Sequence, residues 1–268
     1  MKNLKKLPLI LSILSLASFI TPVNADVKVV ASIKPLHSLA SYLMDGVGKP
    51  DLIVEGYGSP HGFSMKPSHA KILQNADLIF WVGEDLEIFL EKPLSSIAKK
   101  AEKIELMEIK GLNVLKFRER NIFDEHDHDD HDDHGKKEDD HDDHEHDDHD
   151  KKEEHADHDD HDGHEGHAHG EYDPHIWLDP MNAKVILNEM VEHLIENDAK
   201  NASKYKSNLK NAFKDIDKLT ADVKADLSKS TASIVFHDAY QYFEERFDIN
   251  ILGAFTVNTD VMPGAEQL

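Results

Sequence analysis

Six histidines stand apart in this 268-residue chain: His37, His61, His69, His175, His193 and His237. The other fourteen crowd into one stretch: His126, His128, His131, His134, His141, His144, His146, His149, His155, His158, His161, His164, His167 and His169. The chain has no cysteine, so any metal must be held by imidazole, carboxylate or water. In the crowded stretch imidazoles and carboxylates alternate without a fixed frame. Many weak, interchangeable metal sites are expected there, because selectivity needs a preorganised shell. Ordinary imidazoles titrate near pH 6.5, so this stretch should hold zinc at neutral pH and release it on mild acidification. Its nearest approach to a calcium loop, HDDHDGHEGHAH at 158–169, has histidine at the first and twelfth positions, so no EF-hand is expected.

Three of the solitary histidines sit where a fold presents ligands. GYGSPHGFSMKPS puts His61 in a Gly/Pro-rich loop after an apolar run. EYDPHIWLDP puts His175 just before a helical pattern, and SIVFHDAYQYF puts His237 at the carboxyl end of a strand. Open α/β sheets bind ligands in the crevice outside the carboxyl ends of their strands. Three neutral imidazoles on that rim suit Zn²⁺, with a fourth position for water or a carboxylate. The blander reading is that each is a loop histidine bonded to backbone. His37, His69 and His193 fall in helical patterns and read as structural, and Trp81 and Trp177 as core or rim aromatics. Glu84 and Asp85 read as a solvated turn at a strand end. Asp238 could orient a neighbouring imidazole but is not placed among the ligands.

The elements that must carry these residues follow from hydrophobic periodicity. Strands are expected at 27–32, 51–55, 77–83 and 103–108, with helices around 36–43, 67–76 and 86–99 between them. This rhythm implies a parallel sheet covered by helices on both faces. Residues 109–172 lose apolar periodicity and read as a disordered insert, His/Asp-rich over about 120–171. Tyr205, Leu209, Phe213, Ile216, Leu219 (or Thr220), Val223 and Leu227 recur at helical spacing, predicting one long amphipathic helix over about 201–228. A second β-α-β unit follows, with strands at 233–236 and 249–257. The expected architecture is two α/β lobes with parallel sheets joined by one long rigid helix. Its boundaries are 26–197 for the first lobe, 198–228 for the linker helix and 229–268 for the second lobe.

Composition excludes some functions. The net charge of −23 is concentrated in residues 124–171, where 24 acidic residues face 4 lysines. The remainder is near neutral and offers no basic surface, so nucleic acid is not an expected partner. Residues 1–25 carry Lys2, Lys5 and Lys6, an apolar stretch from Leu7 to Ile20 and the exit Val23-Asn24-Ala25. That is the pattern of a secretory signal peptide cleaved after Ala25.

Several segments together carry a family resemblance: VVASIKPLHSLA, GSPHGFSMKPS, NADLIFWVGEDLEIFLEK, DPHIWLDP, FHDAYQYFE and GAFTVNTDVMPGAEQL. They resemble the zinc-specific solute-binding proteins of bacterial ABC uptake systems, the ZnuA type, from about Val27 to Leu268. The resemblance implies two Rossmann-like lobes with the metal in the cleft between them, and His61, His175 and His237 as its ligands. It implies a monomeric periplasmic receptor, not an enzyme, that delivers Zn²⁺ to an inner-membrane permease with its cytoplasmic ATPase. Zinc is then cargo. The third histidine, where manganese-type relatives usually carry glutamate, favours zinc. Pro60 stands where some zinc-type relatives have glutamate. The family's second lobe continues past PGAEQL, so a truncated second lobe is expected.

Two other functions compete. Three histidines plus water also build zinc hydrolases, but no H-E-x-x-H or comparable motif is present. A zinc buffer acting through the histidine-rich stretch is the other alternative, and deleting residues 124–171 separates it from a receptor.

Overall fold

The computed structural model describes residues 27–118, 170–227 and 232–256. The signal-peptide reading at 1–25, the fourteen clustered histidines and the segment from 257 onward lie outside the described residues.

Four strands form one parallel sheet: β1 (Val29–Ala31), β2 (Asp51–Leu52), β3 (Leu78–Trp81) and β4 (Glu102–Glu105), in the order β2-β1-β3-β4. Alternating side chains of β1 and β3 enter two cores, the consequence of a two-residue strand period on a sheet covered on both faces. Val29, Ala31, Leu78 and Phe80 face one core; Val30, Ile79 and Trp81 face the other. The first core is closed by α1 (Lys34–Leu43), α4 (Pro180–Asn197) and α5 (Ala202–Leu227), which contribute Leu36, Leu43, Ile186, Met190 and Tyr205. The second is closed by α2 (Pro67–Asn75) and α3 (Glu84–Ser96) through Leu73, Leu90 and Leu94.

Local chemistry explains where these helices begin. Pro67 opens α2, where its missing N–H costs nothing and its fixed φ is already helical. The carboxylate of Asp179 caps α4 by accepting from the Met181 N–H at 2.8 Å, and Pro180 follows at the first helical position. The helix expected over about 201–228 is observed as Ala202–Leu227, roughly 39 Å long at 1.5 Å per residue. Its apolar stripe is covered unevenly. Leu209, Phe213 and Ile216 pack on the core, whereas Leu219 is 58% exposed.

A separate two-stranded parallel sheet pairs β5 (Ser233–His237) with β6 (Ile251–Thr256), connected by α6 (Gln241–Phe247). The α/β class with parallel sheets and a long helix is therefore as the sequence indicates. The second strand is shorter than expected: only Asp51 and Leu52 satisfy the ladder. Ile53 and Val54 still donate to Ala31 and Ser32 before the chain turns away. The insert's flanks need a larger correction. Residues 109–118 and 170–172, read as disordered from their lack of periodicity, are placed by tertiary contacts. Leu112 and Leu115 pack on the first core, and Lys116 bridges antiparallel to Tyr172. Two or three anchored apolar residues give no periodic signal, which is why the pattern missed them.

Candidate metal centre

His61 lies in the turn between β2 and α2, where its own N–H donates to the Ser59 hydroxyl at 3.3 Å. The loop is anchored behind it by Phe63, whose ring packs against Phe89 and His69 at 5.2 and 5.3 Å between centroids. His69 is structural, as expected. It is buried, and its Nδ1 accepts from the Lys66 N–H at the start of α2. His37 is likewise structural, bonded through Nε2 to the Pro50 carbonyl at 3.1 Å.

His175 is buried immediately before the short 3-10 turn Ile176–Leu178 that leads into α4. Asp173, also buried, holds it twice. One carboxylate oxygen accepts from the His175 N–H at 2.9 Å and lies 2.6 Å from the ring Nδ1. That contact keeps the proton on Nδ1 and turns the Nε2 lone pair outward, the usual way a carboxylate prepares an imidazole for a metal. The ring is backed by Trp177, edge-on at 5.4 Å.

His237 is the last residue of β5, so the strand delivers it to the carboxyl rim of the second sheet. Its Nε2 lies 3.2 Å from that of His175. The His61 ring sits 5.7 Å from His175 and 5.2 Å from His237, centre to centre. One ligand atom from each of the three lies within 4.8 Å of the others. Two ligands on a tetrahedral zinc with bonds of about 2.0–2.1 Å stand roughly 3.3 Å apart. The 3.2 Å separation of the two Nε2 atoms fits that edge. Burial, then the neighbouring His175 and His61, pushes His237 down to about pKa 3. Its imidazole is therefore neutral at physiological pH, as a ligand must be.

The second sheet is held against the first region by polar contacts from α6. Arg246 forks onto both oxygens of Asp179 at 2.6 Å each, tying α6 to the start of α4. The Tyr242 hydroxyl donates to the Asp173 carbonyl at 2.6 Å and accepts from the Leu115 N–H at 3.1 Å. Arg118 pairs with Glu244 on α6 and lies 3.7 Å from Asp238. Asp238, considered a possible partner for an imidazole, is thus paired with Arg118 instead. Its backbone N–H extends the sheet by donating to Thr256. Burial pushes its carboxyl up to about 6 against the pull of Arg118.

Trp81 is core, and Glu84 and Asp85 are exposed at the start of α3, as expected. Glu87, one turn on, was not singled out. It is fully buried and pushed up to about 7 by desolvation, with one oxygen accepting from the Val82 and Gly83 N–H groups. Asp173 was also missed. An acidic residue two before a histidine in YDPH is the available clue, since Asp readily bonds backbone two residues on.

Comparison with known proteins bears on the family and the fold. The family model described as "Zinc-uptake complex component A periplasmic" matches residues 29–268. The chain belongs to this family. It is 49% identical over 242 residues to the high-affinity zinc uptake system protein ZnuA of Brucella abortus, covering 90% of this chain and 70% of that protein. The Yersinia pestis protein of the same description is 33% identical over 246 residues, covering 91% and 70%. Among solved structures, a crystal structure of ZnuA matches with a TM-score of 0.65 at 18% identity, covering 91% of this chain and 75% of that one. A manganese-bound periplasmic metal-binding protein from Candidatus Liberibacter asiaticus matches with 0.61 at 16%, covering 90% and 72%. At these identities the structural matches speak for the fold.

Proposed function

We propose that the protein is a periplasmic zinc receptor that captures one Zn²⁺ at His61, His175 and His237 and passes it to an ABC permease for import. The observation that carries this reading is the convergence of three solitary imidazoles from three distant chain segments, with ligand atoms within 4.8 Å. Membership of a zinc-uptake family and the names of the Brucella and Yersinia relatives support it. In this reading the two sheets are the cores of two lobes, α5 is the rigid link between them, and zinc sits in the cleft. No helix among the described residues is long and apolar enough to cross a membrane. Export through the leader at 1–25 and action as a monomer belong to the same proposal.

Each residue has a part in capture. Asp173 sets the tautomer of His175, β5 fixes His237, and the Phe63-anchored loop brings His61. In this reading the site holds an ion and lets it go. The histidine-rich insert is an auxiliary store in this proposal, weak and unselective. A zinc titration of the full chain against a competing chelator should show one tight event followed by weaker ones. Replacing His61 with Ala should weaken the tight event by more than the roughly 10–100-fold that loss of an outer partner costs, and leave the weak events intact. An unchanged tight event would remove His61 from the site.

A further inference from the structure

A second cluster of metal-binding side chains lies at the opposite rim of the first sheet. Glu102 is the first residue of β4, at its amino end, whereas the three-histidine centre stands beyond the carboxyl ends. His193 lies thirteen residues into α4, roughly 20 Å along the axis from the end near His175. Glu189, His193, Glu196 and Asn197 share one face of α4 through their three- and four-residue spacing.

The contacts converge on the His193 ring. Its Nδ1 lies 2.8 Å from a Glu102 oxygen and 3.8 Å from a Glu196 oxygen, and its Nε2 lies 3.3 Å from Glu189. Asn197 donates to the other Glu102 oxygen at 2.8 Å and to the His193 carbonyl at 2.9 Å, fixing the carboxylate against the helix. Ligand atoms of Glu102, His193 and Glu196 all lie within 4.8 Å of one another.

Two features separate this cluster from a solvated patch of acids. The first is the imidazole, which carboxylates alone do not supply and which favours borderline transition metals over magnesium or calcium. The second is that Nδ1 is out of contact with solvent, enclosed between the Glu102 and Glu196 carboxylates at 2.8 and 3.8 Å. Glu189 orients the ring at Nε2, as Asp173 orients His175 at Nδ1, while the His193 Nδ1 faces the two other carboxylates. One nitrogen is oriented and the other is offered. We propose that Glu102, His193 and Glu196 form a second, weaker site for a divalent transition-metal ion such as Zn²⁺, with Glu189 as the orienting partner. An ion there would fasten α4 to the exposed edge of the sheet. This proposal stands apart from the three-histidine assignment, since it shares no residue with it.

Fourteen further histidines in 126–169 make bulk stoichiometry uninformative, so the test must resolve sites. Crystals of the full chain soaked in millimolar zinc chloride should show an anomalous peak at the zinc edge beside His193. It should lie about 2.0–2.1 Å from Nδ1, with Glu102 and Glu196 oxygens completing the shell. His193→Gln should lose that peak and keep any density at His61, His175 and His237. If that variant does not fold, Glu196→Gln, on a side chain 69% exposed, should reduce the occupancy severalfold. No peak beside His193 would overturn the proposal. So would a peak held by Glu196 and water alone, or one that survives His193→Gln. Density at the three-histidine centre is read separately in the same map, so failure of one assignment leaves the other visible.

Discussion

The two sheets of this protein solve the same problem to different degrees. In the first sheet Val30, Ala31, Leu78, Ile79 and Phe80 have no exposed surface, and helices cover both faces. In the second sheet Ile234 and Phe236 are each 60% exposed and Leu252 is 40% exposed. The first region is closed by helices on both faces; the second buries Tyr242, Phe247, Ile251 and Ala254 and is tied to the first by the polar contacts of α6. The proposed metal centre takes His61 and His175 from beside the first and His237 from the second. Its geometry is therefore only as good as the clamp between them.

The sharpest way to test this contrast is one substitution in each sheet. Phe80→Ala should destabilise the protein by roughly 3–5 kcal/mol, because it empties a closed core. Phe236→Ala, on a face already open, should cost no more than about 0.5 kcal/mol in chemical denaturation. Comparable losses would erase the distinction.

The clamp is the next target. Arg246→Ala leaves the buried Asp179 carboxylate without its forked partner and should cost about 2 kcal/mol, read by the same denaturation. It should also weaken zinc binding, since α6 carries the strand that bears His237. Intact affinity would show that the second sheet holds its place without the clamp.

Asp173→Asn should leave the fold in place and lower zinc affinity about tenfold, because the amide no longer favours the proton on Nδ1 of His175. A chelator competition reads this directly, and unchanged affinity would reduce Asp173 to a turn residue.

Much of this contrast is legible in the amino-acid sequence, and the part that is not has a physical reason. The β-α rhythm, the helix at Ala202–Leu227 and the three solitary histidines all depend on local pattern. Periodicity and strand-end position carry them. Tyr242, Arg246 and Arg118 act across about seventy to 127 residues of chain, between side chains whose types are ordinary on any helix. No local pattern marks such pairs. His193 reads as one more polar residue on α4 until Glu102 arrives from a strand 91 residues earlier.

The response to pH separates the two regions by sign rather than by size. His237 is held at about 3, below its ordinary value, so the folded state binds fewer protons than the unfolded chain between about 3 and 6.5. Its contribution to stability is present above 6.5 and is lost as pH falls through that window. Glu87 is raised to about 7, so its contribution is present below about 4.5 and is lost as pH rises through 7. Stability profiles of His237→Gln and Glu87→Gln should each lose slope, the first on the acid side and the second toward neutrality. Parallel profiles for parent and variants would show that neither burial matters to folding.

The hydroxyl of Tyr242 has one more consequence. With the ladder from Phe117 to Glu171 and from Asp173 to Leu115, it joins the chain on either side of residues 119–169. Loop-closure entropy rises only logarithmically, about 0.6 kcal/mol for each doubling of length, once the two ends are fixed. Segments of very different length and composition can therefore be exchanged between those ends at nearly constant cost. The proposed site at His61, His175 and His237 lies beside those fixed ends, so a change in the segment between them leaves its frame in place.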